Sequence, residues 1–355
     1  MKKTGLGILV ASILSSSTLY AMTELDDNAL SQVEGQALLN LTYNQGVNSG
    51  SMQQSNMGFY RLGLAAELSL NANIKKLQLG CGGGKGAGCD IDIDNIALTG
   101  INPVDGSYVN SDFVLNNPFI EFAIDNPNSA ATRQVAGFRL GALSALGMMS
   151  IGSNNNLKNL TDDKGINSLS GDIGVRVTNA MMNDVRACIG LYAGDFCLGG
   201  ELKGTANVAN YTTTLIANRS SSFDLTKMTA QASSSLLGLK LENVNMLGIP
   251  YATVHKLVIA GEDGKGTSNA SLSLQNKDIY WQNVTDGSWK ENSAQKGWWM
   301  SIPETQFTNL SVDETIRLNG VGAVFGALFK TAVNMDGVDL GQLPISNCYG
   351  GLKFC

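Results

Sequence analysis

Apolar and polar residues alternate with a period of two in several stretches of the chain, the pattern of half-buried β-strands. In Asp90-Ile-Asp-Ile-Asp-Asn-Ile-Ala-Leu98 it places Ile91 and Ile93 on one face and Asp90, Asp92 and Asp94 on the other. Residues 77–79 form a matching strand before it. The alternation recurs at 174–178, 237–242 and 270–275, and 254–260 reads as a more buried strand. Turn-forming clusters at 125–128, 153–156 and 261–266 separate these segments. Helical periodicity is weak. The apolar, small-residue stretches 140–151 and 320–333 are too short for membrane helices and are expected to be core strands or one buried helix. The pattern predicts an all-β, antiparallel-rich protein with an extended-sheet or sandwich-like architecture. Residues 40–355 are expected to form one long β-rich domain, divided into halves near 40–200 and 201–355.

The first residues depart from this pattern. Lys2 and Lys3 precede an apolar run from Gly5 to Leu14, and Leu19-Tyr20-Ala21 supplies a small residue for cleavage. Residues 1–21 therefore read as a signal peptide, and the mature chain is expected outside the cytoplasm, in the periplasm or at the outer membrane and cell surface. In the next segment, 22–39, Leu25, Asp26, Asp27, Leu30, Ser31, Val33, Gly35 and Gln36 make the pattern L-D-D-x-x-L-S-x-V-x-G-Q. It resembles the opening of gammaproteobacterial exported proteins of the pilus-assembly FilA type, as in Acinetobacter. Asn117-Pro-Phe-Ile-Glu-Phe-Ala123, Val135-Ala-Gly-Phe-Arg-Leu-Gly141 and Asn347-Cys-Tyr-Gly-Gly-Leu-Lys-Phe-Cys355 resemble the same family. The resemblance implies a fimbria-associated protein whose partners are other fimbrial or outer-membrane components, and it brings no catalytic residues. The motif also has a purely physical reading, in which Leu25, Leu30 and Val33 are the apolar stripe of a short helix ended by Gly35.

Composition narrows the partners. Without Lys2 and Lys3, 22 basic residues stand against 30 acidic ones, a net charge of −8. An acidic chain with no basic stripe argues against nucleic acid. Only 15% of residues are charged, so little repulsion keeps copies apart, and packed assemblies, homo-oligomers included, are compatible with such a surface.

The six cysteines fall into three near pairs: Cys81 with Cys89, Cys188 with Cys197, and Cys348 with Cys355. In an exported chain, close spacing and glycine-rich intervening loops favour three local disulfides. Each would close a loop worth roughly 2–3 kcal/mol on the chain-entropy model. Zinc is the rival reading, but the spacings are unlike finger spacings and the one histidine, His255, is remote.

Candidate chemistry is sparse. Gly80-Cys-Gly-Gly-Gly-Lys-Gly86 has glycine where a phosphate loop needs Ser or Thr. Ser144 lacks a nucleophile-elbow spacing. His255, between Val254 and Leu257 in a strand-like run, is expected to be structural. Asp90, Asp92 and Asp94 are a weak calcium candidate, since three carboxylates on one face repel each other, but Asn95 and Ile101 break the EF-hand pattern. A solvated edge face that discourages strand pairing is the plainer account. All four tryptophans, Trp281, Trp289, Trp298 and Trp299, lie in one hairpin-like segment. They could present a face to a surface glycan or protein. Packing is favoured, because adjacent Trp298 and Trp299 point to opposite sides of a strand. The expected function is structural, in a surface fimbrial system, with no enzyme activity and no cofactor; an adhesin-like binding module is the alternative. An outer-membrane barrel ranks below both, because the alternation lacks aromatic girdles.

Overall fold

The computed structural model describes residues 38–82, 85–102, 108–109, 111–153, 165–236, 238, 240–319, 332–334 and 340–343. The signal segment, almost all of the 22–39 motif, the Cys348–Cys355 pair and most of 320–333 lie outside the described residues. Residues 40–355 constitute one compact unit. The architecture is almost entirely β and rich in antiparallel pairs.

Among the described residues one sheet holds fourteen strands and a second holds six. The large sheet includes β1 (Leu39–Gln45), β2 (Met57–Leu64), β3 (Ala72–Leu79), β4 (Ile91–Ile101), β5 (Phe113–Asp125), β6 (Gln134–Ser150), β7 (Ile166–Thr178) and, later in the chain, β14 (Gly297–Thr308). Between them come β8 (Ala180–Cys188), β9 (Glu201–Val208), β10 (Tyr211–Ser220), β11 (Ser222–Ala232), β12 (Lys240–Pro250) and β13 (Ser271–Gln275); β15 (Ser311–Asn319) follows. The large sheet closes on itself. From β6 the pairing runs through β13 and the short strand Lys256–Ile259 to β14, then to β7 and β4, and Met148–Ser150 of β6 meets Ala97–Thr99 of β4.

β7 and β14 run parallel, and so do β8 and β15, as one continuous pair that passes from the large sheet into the small one. The transfer occurs at Asn179 (φ 52°) and Asn309 (φ 56°). Asparagine tolerates this left-handed conformation better than most side chains. At Gly174 a Cβ would stand 1.7 Å from the Pro303 carbonyl oxygen, so only glycine lets the two parallel strands approach there. A boundary near residue 200 does not divide the sheets, because strands from both sides of it pair in each. Parallel pairing needs partners distant in sequence, and here those partners lie more than a hundred residues apart.

The main core lies where the sheets meet, with Ile91, Ile93, Val175, Met182, Leu225 and Ile249 among its fully enclosed side chains. The 140–151 stretch belongs to β6 and is a strand. His255 is fully buried in this region, and its Nδ1–H donates to the Ile151 carbonyl at 2.9 Å. The 237–242 alternation begins later than predicted: Gly238 takes φ 62° and the strand starts at Lys240.

Cys81–Cys89 and Cys188–Cys197 are both bonded. The first closes the tip of the β3–β4 hairpin, where Leu79 is registered with Ile91. The second closes a small hairpin in which Leu191 faces Leu198.

Candidate functional site: an open apolar sheet face

Five neighbouring strands carry the most distinctive surface of the molecule. Registers across β2, β5, β6, β13 and β14 align Tyr60, Phe122, Phe138, Leu274 and Trp298 in one row. Two residues along, they align Leu62, Ile120, Leu140, Leu272 and Met300 in a second. Side chains two apart share a sheet face, so both rows lie on one face and neither contains a polar residue. Aromatic contacts cross the strands: Phe122 and Phe138 ring centroids are 6.4 Å apart, and Phe138 meets Trp298 edge-on at 5.9 Å.

At the β14 end, Leu272, Trp298 and Met300 pack against the main core. At the other end the face is open. Leu62, Ile120, Phe122 and Leu140 are each 41–45% exposed. Tyr43 of β1 extends the surface by packing its ring against Tyr60 at a tilt, with centroids 4.8 Å apart, and Leu41 beside it is 74% exposed. Isolated apolar surface residues are ordinary, but contiguous patches mark contact surfaces.

The row between these two faces the opposite way and is polar: Arg61, Glu121, Arg139, Ser273 and Trp299. Segment 276–296 covers it. Glu121 and Arg139 are completely buried and joined by Arg139 Nε donating to Glu121 Oε2. Arg139 lies between the rings of Phe119 (5.2 Å) and Trp281 (5.0 Å), and its Nη2 donates to the Gln282 carbonyl. Beside this pair, Asp172 accepts from Trp299 Nε1 at 2.6 Å and from the Ser301 hydroxyl at 3.0 Å, and pairs with Lys290 at 3.4 Å. Lys290 Nζ also donates to Ser301 Oγ. Burial pushes the Lys290 ammonium below its usual range, against the opposing pull of Asp172. Lysine beside serine can serve nucleophilic chemistry. Here the serine proton is committed to Asp172 and its lone pair to lysine, so the cluster fastens the covering segment to the sheet.

Trp281 and Trp289 belong to that cover, while Trp298 and Trp299 lie on β14 beneath and beside it. Trp281 and Trp299 are buried, Trp289 and Trp298 half-buried, and none is exposed. Phe59 packs against Trp281 at 5.7 Å and Trp289 at 5.1 Å. The segment is hairpin-like, with Ile279 bridging Ala294 and Gln282 bridging Trp289. The four do not form one recognition face.

The aspartates also differ from expectation. β4 is an interior strand with partners on both sides, so Asp90, Asp92 and Asp94 do not line a solvated edge. Asp90 is buried and accepts from Lys85 Nζ and Arg219 Nε, both at 3.0 Å, and from the Trp298 backbone at 2.9 Å. Lys76 lies 2.8 Å from Asp92 and 2.6 Å from Asp94, and Asn167 Nδ2 donates to both carboxylates. Lysine and arginine thus supply the counter-charge that calcium was considered for. Among the described residues no group of three or more His, Cys, Asp or Glu side chains could hold a metal.

The sequence reading missed Arg61, Glu121, Arg139, Asp172, Lys290 and Arg219. A lone charge within an apolar run, as in Phe119-Ile-Glu-Phe-Ala123 and Gly137-Phe-Arg-Leu-Gly141, is the signal that could have found the central pair.

No family model, no curated protein and no solved structure matches the chain.

Proposed function

We propose that the chain is a non-enzymatic, exported structural or accessory component of a surface fimbrial or pilus system, and that it joins a second copy of itself through the open face of β2, β5 and β6. The observation that carries the association is the pair of uninterrupted apolar rows, enclosed at one end and uncovered at the other. Two copies placed face to face would bury identical rows, the self-complementary arrangement of a two-fold interface. Low surface charge opposes this little. The outer edge of β1, at the end of the strand order, adds backbone donors and acceptors beside the same surface. The 25–36 motif supports the fimbrial setting. Two cystines support folding in an oxidising compartment, and the third local pair, Cys348 with Cys355, is proposed on spacing.

The adhesin-like alternative through a tryptophan face has less support, because those rings are engaged in packing. A test is the solution mass of the full mature chain by light scattering, beside the Ile120→Lys and Leu140→Lys variants. Wild type is expected to self-associate and the variants to be monomeric with unchanged thermal stability. A wild-type monomer across the concentration range would remove the association.

A further inference from the structure

A cavity of about 260 Å3 opens on the other side of the same sheet, with Arg61 and Phe119 in its wall and Leu64, Leu143 and Val284 beside them. Arg61 and Phe119 alternate with Leu62 and Ile120, so this cavity and the apolar rows occupy opposite faces. Asn40 and Ala65 on its rim are exposed, which leaves the space open to solvent.

The electrostatics at Arg61 are unbalanced. Arg61 stands directly opposite Glu121 in the β2–β5 register, as Arg139 does from β6. Only Arg139 makes the ion pair. The Arg61 guanidinium instead lies 5.8 Å from the Phe119 ring centroid, and its Nη1 is buried without a hydrogen-bond partner. Two arginines therefore stand against one carboxylate, of which only Arg139 binds an oxygen, while Lys290 and Asp172 match each other. The row retains one positive charge beside an open cavity. A buried guanidinium donor left unpaired carries a desolvation penalty that an incoming acceptor relieves, and the planar fork of arginine suits a carboxylate.

We infer that this cavity is a receptor site for a small carboxylate on an apolar body, with the carboxylate on Arg61 and the body against Phe119, Leu143 and Val284. The volume lies near the small end of ligand pockets, roughly 300–1,000 Å3, and far exceeds the roughly 30 Å3 share of one water. Asn40 and Asn117 also line the cavity and carry amides able to donate. A free acyl or aromatic acid and the terminal carboxylate of an apolar peptide present the same chemistry.

The test is calorimetric titration of the full mature chain with hexanoate, benzoate and N-acetyl-leucine, and with hexanol as the neutral control. Saturable binding of at least one carboxylate is expected, at least tenfold tighter than hexanol. Preference for hexanoate or benzoate would identify a free acid, and preference for N-acetyl-leucine a chain terminus. Arg61→Gln should weaken the carboxylate at least tenfold, and Val284→Phe should block it by filling the wall. If Arg61→Gln fails to fold, Val284→Phe still reads the site. Ile120→Lys, on the opposite face, should bind as wild type, which separates this site from the self-association surface. No saturable binding of any carboxylate, equal affinity for hexanol, or binding unaffected by both cavity variants would overturn the inference.

Discussion

Arg219 reaches Asp90 across 129 residues of chain, with its Nε donating to Asp90 Oδ1 at 3.0 Å. The rest of the guanidinium fans into the Cys81–Cys89 loop, donating to the carbonyls of Gly80 at 2.9 Å and of Gly86 and Ala87 at 3.2 Å. Gly80 makes room for the pair: a Cβ there would lie 2.2 Å from Asp90 Oδ2. The cystine loop is thus held from inside by a residue of β10. Arg219→Ala leaves those carbonyls to water and deprives Asp90 of one of two cations, for a loss of about 1.5–3 kcal/mol at the charged hydrogen bond. Arg219→Lys should recover only part of it, since an ammonium lacks the planar fork. Denaturant unfolding of both variants measures the difference, and full recovery by lysine would mean that charge alone holds the loop.

The same pair sets an acid limit. Burial acts to raise the Asp90 carboxyl, but the Trp298 N–H and the Lys85 and Arg219 cations outweigh it and hold it below its usual 3.8. A carboxylate lowered in the folded state contributes stability above its unfolded value, and that contribution disappears as pH falls through the folded one. Asp90→Asn should be less stable than wild type at pH 7, and should lose less between pH 4 and pH 2. Parallel acid-unfolding curves for the two proteins would show that Asp90 does not contribute.

Lys290 has the opposite signature. Because burial lowers its ammonium below the usual 10.5, the unfolded chain binds more protons between the lowered value and 10.5. Stability from this group therefore rises with pH in that window. The melting temperature of Lys290→Met should lack the alkaline gain expected of wild type as pH rises toward 10.5. A gain of equal size in both would assign it to another residue.

The β class, the buried 254–260 strand, the turn at 261–266 and the first cystine hairpin are legible in the sequence because they are local: period, turn residues and spacing report them directly. The apolar rows are not. A strand read by itself would put a charge such as Glu121 toward water and its apolar neighbours Ile120 and Phe122 inward, and the structure has the reverse. What decides the orientation is Arg139 on the neighbouring strand and the 276–296 cover, neither visible from one strand. The parallel β7–β14 pair is likewise hidden, since its partners lie more than a hundred residues apart. The aspartates of β4 looked like an edge because no local signal announces Lys76, Lys85 or Arg219.

Peptide mapping under non-reducing conditions should recover the pairs 81–89 and 188–197, with 348–355 expected from spacing. Removing the first by Cys81→Ser with Cys89→Ser should cost roughly 2–3 kcal/mol on the loop-entropy model. The cost should be smaller than that, or absent, if Arg219 alone can hold the loop. Combining the double replacement with Arg219→Ala separates the two contributions. A combined loss much larger than the sum would show that crosslink and guanidinium substitute for each other, while a simple sum would mean they act independently.

The tryptophans offer the sharpest separation between packing and recognition. Trp281 and Trp299 are enclosed, so replacement by Ala should cost about 3–5 kcal/mol each through the cavity left behind. Trp289 and Trp298 are half-buried and should cost less. Trp299→Phe keeps most of the volume but removes the donor to Asp172, leaving that carboxylate to Ser301 and Lys290. It should therefore destabilise less than Trp299→Ala, and a pH-dependent part of the loss should follow Lys290. Thermal unfolding of the single variants, measured beside attachment of cells bearing each one, distinguishes the outcomes. Packing requires at least Trp281→Ala and Trp299→Ala to lower stability and export together. Four variants of wild-type stability that no longer attach would instead restore the tryptophan segment as a binding surface, and would require the 276–296 cover to lift from the buried Arg139–Glu121 row.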